Sequence, residues 1–318
     1  MGHGGARGER EAQLSLLQAR HALPEPYLGW ERGYLEAFPG LQRVMDAMVA
    51  TTSRQLADPA QDILHNRVCS AIGYRMAADM GLPRADRRLV VAGELLHNIT
   101  KEDRAEVLTD VGRLRKASGM IERLRSARRL GSPGFWSDPA LFASPHVGAN
   151  LALVHHITGA MVAGELLQSF GDYSAGDILR VQEAIAAHST GYWYFRATVD
   201  GHASANAWRN LYPEPEGALS LIVHDADLVS QFDAGAVLPE GSKWRSLAAR
   251  RWGANGAAEE AHVTYYVFQR LLDEARTPQG RALAEQEWEK IAPRLVELMG
   301  LAAGSDPLGV RGVPKAFE

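Results

Sequence analysis

The chain has 318 residues, of which 46% are hydrophobic and 23% are charged, so its composition is that of a globular protein with a substantial core. The formal net charge of −4 gives no general attraction to nucleic acids or membrane surfaces, and we expect neither as a partner. A single cysteine, Cys69, excludes internal disulfides and cysteine-based metal clusters and fits a reducing cytosol. No apolar segment reaches the ~20 residues that span a bilayer, and the first residues lack the apolar core of a secretory signal. We therefore expect a soluble, cytoplasmic protein.

Composition and helical periodicity divide the chain into five predicted segments, which no repeat or low-complexity linker interrupts. Residues 1–10 are rich in Gly and Arg and are predicted as a flexible tail, and residues 11–60 as an N-terminal helical extension. A helical core over 61–235 follows, then helices over 236–302 that pack on the core, and a loose Gly- and Pro-rich tail over 303–318.

Helical periodicity is the main secondary-structure signal. Residues 62–80 and 174–188 place apolar side chains at helical spacing, and the mostly apolar run 89–96 ends a further helix at His97 and Asn98. Helices are also predicted for 144–170, 218–232 and 257–299, whereas 235–256 is predicted as a loop with some basic character. No alternation of apolar and polar residues is long enough to require a sheet, so the predicted fold class is all-α.

A strongly basic segment extends over residues 110–130. Such a run is commonly the solvated face of a helix. It also has the charge of an electropositive rim that attracts a phosphorylated substrate. Both interpretations are compatible with the sequence.

Histidines are spread over the predicted core-facing helices, and a carboxylate follows on a later one. The set comprises His65, His97, His155 or His156, His188 and Asp227. A lone histidine in such a place is more often a satisfied core residue, but several favour a shared metal, which keeps close imidazoles neutral. Imidazole with carboxylate suits Zn, Fe, Mn or Ni rather than Ca or Mg. Spacing alone leaves a structural polar network and a metal site as alternatives.

The order of these residues resembles the HD-domain metal-dependent phosphohydrolase superfamily. The pattern of that superfamily is His, then His-Asp, then Asp, often with Lys three residues after the doublet's Asp. In this chain His65 is followed by His97-Asn98-Ile-Thr-Lys101, after a helix that ends in Leu-Leu, and then by Ala226-Asp227.

Three further segments are similar to a binuclear branch of the superfamily. His155-His-Ile-Thr-Gly-Ala160 is similar to its His-x-x-x-Gly-Ala helix and favours His155 over His156. Ala184-Ile-Ala-Ala-His-Ser-Thr-Gly191 is similar to its Ala-Ile-x-x-His-Thr-x-Gly segment, and Leu221-Ile-Val-His-Asp-Ala-Asp227 to its closing ligand helix, which favours Asp227 over Asp225. The resemblance covers about 60–235 and is strongest to members that hydrolyse dinucleoside polyphosphates and related nucleotides.

The resemblance implies that 61–235 is an HD-type helical bundle and that the protein is a phosphohydrolase. The implied substrate is a nucleotide or another small phosphorylated metabolite, attacked by metal-activated water. The implied cofactor is one or two divalent transition-metal ions, drawn from Fe, Mn, Zn, Ni and Co. The implied ligands are His65, His97, Asn98 and Asp227 for one ion and His155 and His188 for a second. A homodimer is a further expectation.

The resemblance suggests catalytic residues beside these ligands, and side-chain chemistry suggests substrate-binding residues. Lys101 and Asn98 are the candidate catalytic residues, and Arg196 and Tyr192 are the candidate substrate-binding residues. A surface lysine, a surface arginine and a core aromatic are the alternative interpretations of Lys101, Arg196 and Tyr192. Two other functions fit the same scaffold, namely an HD-type di-iron oxygenase and a catalytically weakened relative that binds a nucleotide.

The residue at position 98 departs from the superfamily pattern, because Asn98 stands where the doublet has Asp. An amide has one carbonyl oxygen and no charge, so we expect Asn98 to bind a cation more weakly than a carboxylate and to bridge two ions poorly. Three explanations are compatible with it: a natural variant with one ion or an altered pair, a non-catalytic relative, or a deliberate Asp-to-Asn change. The sequence does not separate them.

Overall fold

The computed structural model describes residues 23–55, 59–100, 120, 122–123, 155–189 and 213–317. Over these ranges the regular elements are helices and no strand is present, which confirms the predicted all-α class. The helices are α1 (Tyr27–Ala37), α2 (Leu41–Gln55), α3 (Pro59–Asp79), α4 (Arg84–Leu96), α5 (His155–Phe170), α6 (Ala175–Ala186), α7 (Gly217–Ser230), α8 (Ala234–Val237), α9 (Lys243–Trp252), α10 (Ala257–Glu274), α11 (Pro278–Leu298) and α12 (Pro307–Arg311), and a 3₁₀ turn covers Lys315–Phe317. None of these helices is both long enough and apolar enough to cross a membrane.

Helix α4 is the central element of the core. Every residue from Leu89 to Leu96 is buried, and the helix packs against α2, α3, α6 and α7. The second half of the helix has no exposed side, which happens only when neighbouring helices cover every face. Its last turn therefore delivers the residues that follow it, His97 and Asn98, to the middle of the bundle, where they are 0% and 1% exposed.

Helix α5 approaches the end of α4 closely because it carries Gly159 at the contact. A Cβ atom on Gly159 would come within 2.8 Å of the His97 carbonyl oxygen, which is closer than such contacts allow. Thr100 also joins the two elements, since its hydroxyl lies 2.6 Å from the Thr158 hydroxyl and donates to the His155 carbonyl at 3.2 Å. These contacts fix His155 relative to His97.

A buried ion pair fastens α1 to α3. Arg67 donates to both oxygens of Glu31, at 2.8 Å from Nε and 2.6 Å from Nη2, and both side chains are almost fully buried. Tyr34 donates a longer hydrogen bond to the same carboxylate, and burial followed by the charge of Glu31 raises the pKa of Tyr34. Guanidinium suits a buried carboxylate because its planar donors satisfy both oxygens at once.

Two C-terminal segments differ from the sequence-based expectation. Residues 235–256, predicted as a loop, contain α9, whose first turn is capped by the Ser242 hydroxyl and whose end is closed by Gly253 with a φ of 66°. Residues 303–317 differ from the predicted loose tail, since they form α12 and a 3₁₀ turn. Phe317 packs its ring against Trp252 and Tyr266, with centroids 5.4 and 4.9 Å apart. These contacts order the C-terminal segment.

Candidate metal centre

Three helices bring His65, His97 and Asp227 into contact inside the bundle. His65 belongs to α3, His97 follows α4, and Asp227 belongs to α7. The Oδ1 atom of Asp227 lies 3.0 Å from His65 Nε2 and 3.7 Å from His97 Nε2, and the two Nε2 atoms are 3.4 Å apart. These three residues carry the His, His and Asp positions of the sequence pattern.

His155 and His188 form a second pair that continues from the first group. Their Nε2 atoms are 3.1 Å apart, and both side chains are buried. The His188 ring lies 4.8 Å from the His97 ring, measured between centroids, so His97 borders both groups. Five separately predicted residues are thus gathered in one continuous cluster.

Backbone carbonyls set the orientation of two of these rings. His97 Nδ1 lies 2.7 Å from the Glu94 carbonyl oxygen, and His188 Nδ1 lies 2.6 Å from the Ile185 carbonyl oxygen. A carbonyl only accepts, so Nδ1 carries the proton and donates in both residues. Their Nε2 lone pairs are consequently directed toward the cluster, which is the arrangement that metal-binding histidines adopt.

His65 has a comparable anchor on its other side. Its Nδ1 atom lies 3.3 Å from the Ser230 hydroxyl oxygen, and that hydroxyl donates its own proton to the Asp227 carbonyl at 2.7 Å. Ser230 therefore accepts from His65 Nδ1. With the ring in this tautomer, His65 Nε2 also presents a lone pair. The Nε2 atoms of His65 and His97 and the Oδ1 atom of Asp227 are thus separated by 3.0 to 3.7 Å.

The electrostatics of the cluster favour an ionised Asp227 beside a neutral His188. Burial raises the pKa of Asp227, but hydrogen bonds from His65 and His97, which the rings donate when a proton rather than a cation lies on Nε2, outweigh burial and hold that pKa well below its usual value. Burial, together with His97 and His155, holds the pKa of His188 well below its usual value. A carboxylate and neutral imidazoles are the protonation states that a divalent cation requires of its ligands.

Cys69 joins the cluster, and the sequence analysis did not assign it a role. Its sulfur lies 3.6 Å from His65 Nε2, and one ligand atom each from His65, Cys69, His97 and Asp227 lie within 4.8 Å of one another. Burial, followed by the charges of Glu94 and Asp227, raises the pKa of the Cys69 thiol. The signal that could have found it is its position four residues after His65, which places both side chains on one face of α3.

Asn98 uses its amide to contact His97. The Nδ2 atom lies 2.8 Å from His97 Nε2, while Oδ1 is buried and has no hydrogen-bond partner among the described residues. Exchanging the amide nitrogen and oxygen, which a 180° rotation achieves, would direct the oxygen at the His97 lone pair. Two acceptors at that distance repel unless a cation lies between them. Asn98 is therefore placed to offer its amide oxygen as a ligand, but this oxygen carries no negative charge.

Glu94 adds an unusual carboxyl group next to the cluster. It is fully buried, and neither of its side-chain oxygens has a hydrogen-bond partner among the described residues. Its Oε2 atom lies 3.7 Å from His97 Nδ1, and burial followed by the charge of Asp227 raises the pKa of Glu94 well above its usual value. Orphaned buried oxygens beside acceptor-rich ligands are the environment that a cation compensates. The donor set therefore fits a divalent transition metal.

One of the weaker candidates, Asp225, lies away from the candidate metal centre. Asp225 faces the start of α11, where it accepts hydrogen bonds from the Thr277 backbone N–H and hydroxyl, both at 2.6 Å. His224 Nδ1 lies 2.8 Å from Asp225 Oδ1, so His224 belongs to this hydrogen-bonded group and not to the candidate metal centre. His156 is buried on α5, with its ring centroid 6.0 Å from that of His155.

Several predicted residues lie outside the part of the chain that the structure describes. These are Lys101, Tyr192 and Arg196, together with most of the basic segment over 110–130. Arg123, from that segment, is described: its side chain is 54% exposed and its Nε atom lies 2.8 Å from Glu183. This ion pair is exposed on its arginine side and buried on its glutamate side.

The chain matches no protein-family model, no curated protein and no solved structure in comparisons with known proteins. Membership of the HD-domain superfamily stays a prediction from the sequence motifs.

Proposed function

We propose that this protein is an HD-type, metal-dependent phosphohydrolase that acts on a nucleotide or another small phosphorylated metabolite. The observation that carries the proposal is the convergence of His65, His97 and Asp227 with His155 and His188 in one buried cluster. These residues come from separate helices, and their order along the chain is the order of the superfamily pattern.

His65, His97, Asn98 and Asp227 would hold one divalent cation, and His155 and His188 would support a second. A bound cation of this kind supplies a nucleophilic water near neutral pH and neutralises charge on phosphoryl oxygens. The donor set suits a transition metal, because imidazole nitrogen predominates.

The chain's own residues prepare this centre in three ways. The carbonyls of Glu94 and Ile185 hold the imidazole rings of His97 and His188 so that their Nε2 atoms face inward. Asp227 stays ionised and contributes negative charge. Gln231 donates to Asp227 Oδ1 at 3.0 Å and so fixes the carboxylate. These contacts would hold the ligand atoms in place for a cation and so limit reorganisation during catalysis.

Substrate recognition is assigned to residues predicted from the sequence. Lys101 directly follows Thr100 in the sequence, and Thr100 is buried and contacts the His155 carbonyl. A lysine there would stabilise negative charge on a phosphate. Arg196 would grip phosphate oxygens with its planar donors, and Tyr192 would stack on a base.

A second function, a catalytically weakened relative that binds a nucleotide, is favoured by one observation. The Asn98 amide contacts the His97 Nε2 atom at 2.8 Å, so it competes for the lone pair that a cation needs. Asn98 also leaves Asp227 as the only carboxylate among the predicted ligands. Both effects weaken cation binding and reduce turnover.

The deciding experiment compares the chain as it is with Asn98→Asp and, as a control for loss of the amide, Asn98→Ala. Metal content is measured by elemental mass spectrometry, and phosphate release is followed with Mn²⁺, Fe²⁺, Co²⁺, Ni²⁺ or Zn²⁺ on nucleoside mono-, di- and polyphosphates and sugar phosphates. We expect stoichiometric metal and phosphate release, larger for Asn98→Asp than for the other two forms.

Each alternative has its own outcome in this experiment. Release by Asn98→Asp alone identifies the Asn98 chain as the weakened relative. Metal binding without phosphate release from any substrate contradicts the hydrolase proposal, and bound iron with oxygen consumption identifies an oxygenase instead. Failure of every form to bind metal contradicts the metal centre itself.

A further inference from the structure

We propose that Cys69 is a thiolate ligand of the cation held by His65, His97 and Asp227, and that it makes this position selective for Zn²⁺, Co²⁺ or Fe²⁺ over Mg²⁺ and Mn²⁺. The inference rests on the metal centre of the proposed function, with Cys69 in place of Asn98 as the fourth protein ligand of this ion. Four protein ligands close a tetrahedral site to water, so the nucleophilic water would be supplied by the second cation, at His155 and His188.

The ligand atoms of the four residues lie close enough together to surround one cation. In a tetrahedral zinc site with Zn–N of ~2.0–2.1 Å and Zn–S of ~2.3 Å, two nitrogens lie about 3.4 Å apart, and nitrogen and sulfur about 3.6 Å apart. The distance from His65 Nε2 to His97 Nε2 is 3.4 Å, and from His65 Nε2 to Cys69 Sγ it is 3.6 Å. Cys69 Sγ is also 3.8 Å from His65 Nδ1, so it lies beside the ring, and a side-chain rotation would bring it in front of Nε2 on binding a cation. Asp227 Oδ1 lies 3.0 and 3.7 Å from the two nitrogens, so it bounds the same space.

The helix itself pre-sets the pairing of His65 with Cys69. Residues four apart project from the same face of a helix, so the backbone of α3 holds His65 and Cys69 in that relation without a further constraint. His97 and Asp227 then approach from α4 and α7. The centre consequently needs no movement of the backbone to offer four ligand atoms within 4.8 Å of one another.

The surroundings of Cys69 argue against a purely apolar core role. A free cysteine commonly fills a core as a small hydrophobe. Here the sulfur contacts an imidazole, and Glu94 and Asp227 are close enough to act on it electrostatically. The Glu94 oxygens also have no hydrogen-bond partner among the described residues. A bound cation would interact favourably with all of these groups at once.

Charge balance supports the thiolate as well. Asn98 is neutral, so Asp227 is the one anionic side chain among the ligands predicted from the sequence. A Cys69 thiolate supplies a second negative charge and neutralises a divalent cation. On binding, the thiol S–H bond breaks, a sulfur–metal bond forms, and one proton passes to solvent. Thiolate ligands select softer cations and disfavour Mg²⁺ and Mn²⁺.

The test uses cobalt as a spectroscopic probe of the full-length chain. Metal is removed with a chelator, one equivalent of Co²⁺ is added, and the absorption spectrum is recorded. A cysteine ligand gives an intense near-ultraviolet sulfur-to-cobalt charge-transfer band in addition to the weaker visible bands of bound Co²⁺. We expect this band in the unaltered chain and its loss in Cys69→Ser and Cys69→Ala.

Ser70→Ala is the matched control, because Ser70 is the next buried residue of α3 and its hydroxyl donates to the Asn66 carbonyl rather than to the cluster. This variant is expected to keep the charge-transfer band. Changing a residue that only supports a metal ligand lowers metal affinity by roughly 10–100-fold. In competition titrations, Cys69→Ser is expected to lower Zn²⁺ affinity by more than this. Its Mn²⁺ affinity is expected to stay unchanged.

The result that overturns the proposal is stoichiometric Co²⁺ binding by the unaltered chain without the charge-transfer band. In that case the metal centre stands and Cys69 is not a ligand. Absence of any Co²⁺ or Zn²⁺ binding removes the centre, and with it both this inference and the proposed function. The spectrum of the unaltered chain decides the point even if neither Cys69 variant folds.

Discussion

Helix α7 carries two carboxylates two residues apart, Asp225 and Asp227, and their surroundings are opposite. Asp225 is surrounded by donors, since Thr277 contributes a backbone N–H and a hydroxyl, and Arg276 contributes a backbone N–H at 3.0 Å. Asp227 faces the Nε2 atoms of His65 and His97, with one amide donor from Gln231. The same helix thus has a structural carboxylate and a candidate ligand.

The groups that surround a buried carboxylate indicate its role. A carboxylate surrounded by donors is satisfied without any further partner, so it stabilises the fold directly. A carboxylate among acceptors and oriented nitrogen lone pairs is satisfied only when a cation or protons enter. The first arrangement ties α7 to α11, and the second marks the candidate metal centre.

The largest expected effect is on stability and concerns Asp225. Asp225→Ala leaves the N–H groups of Arg276 and Thr277 without their acceptor, so we expect the free energy of unfolding to fall by about 3 kcal/mol. Metal affinity should stay unchanged, because Asp225 does not face the cluster. Urea denaturation followed by circular dichroism measures the first quantity, and calorimetric Zn²⁺ titration measures the second. Loss of metal binding in a folded Asp225→Ala would contradict the division of roles.

The converse change, Asp227→Asn, is expected to remove metal binding. We expect a loss of at least about 100-fold in Zn²⁺ affinity, because changing residues behind a ligand already costs 10–100-fold. The stabilisation that Zn²⁺ confers at 100 times its dissociation constant, about 2.7 kcal/mol, should disappear with it. Thermal unfolding with and without Zn²⁺ measures this difference, and Asp225→Asn is the control on the same helix. An unaltered Zn²⁺ response in Asp227→Asn would exclude Asp227 as a ligand.

Part of this comparison could be predicted from the sequence. The apolar run ending at His97, the helical spacing around His188 and the preference for Asp227 over Asp225 are local patterns or matches to a motif. They predicted an all-α fold and a set of residues that the structure brings together. The loop prediction for 235–256 was wrong. Ser242 and Gly253 are capping residues that mark the ends of α9, and these local signals were present in the sequence.

Other features depend on contacts that are distant in sequence. In the sequence, Glu94 is a charged residue within an apolar run. Only the packed structure shows that its side-chain oxygens have no hydrogen-bond partner among the described residues. Cys69 gains a role only when α4 and α7 approach the same face of α3. The order of residues 303–317 depends on Phe317 meeting Trp252 and Tyr266, which no local pattern indicates.

Glu94, which lies beside the Asp227 cluster, gives a further test of how the surroundings of Asp225 and Asp227 differ. In the metal-free protein, Glu94→Met removes a buried carboxyl without hydrogen-bond partners among the described residues, so we expect unfolding to cost about 2 kcal/mol more at pH 8. Burial raises the pKa of Glu94 in the folded state. The unfolded chain therefore loses this proton first, and the advantage of the variant should grow as pH rises above about 4.3, the ordinary pKa of Glu.

The matched control is Glu183→Met, because the carboxylate of Glu183 is also largely buried but pairs with Arg123. This control should gain no stability, since it removes a partner from Arg123. Urea denaturation at pH 5 and pH 8 separates the two variants. A less stable Glu94→Met at both pH values would show that the Glu94 carboxyl has a structural role like that of Asp225.

The smallest expected effect is the pH dependence caused by His188 in the metal-free protein. Burial, followed by the neighbouring His97 and His155, lowers the pKa of His188 in the folded state, so the unfolded chain binds a proton there that the folded chain does not. Stability should consequently fall as pH decreases below about 6.5, by roughly 1 kcal/mol between pH 6.5 and 5.5. His188→Gln should remove this contribution, and urea denaturation across that range measures it. Bound Zn²⁺ should steepen the acid dependence of the unaltered chain, because protons compete with the cation for the same imidazoles. An acid dependence that is identical in His188→Gln, with and without Zn²⁺, would place His188 with Asp225 among the structural residues.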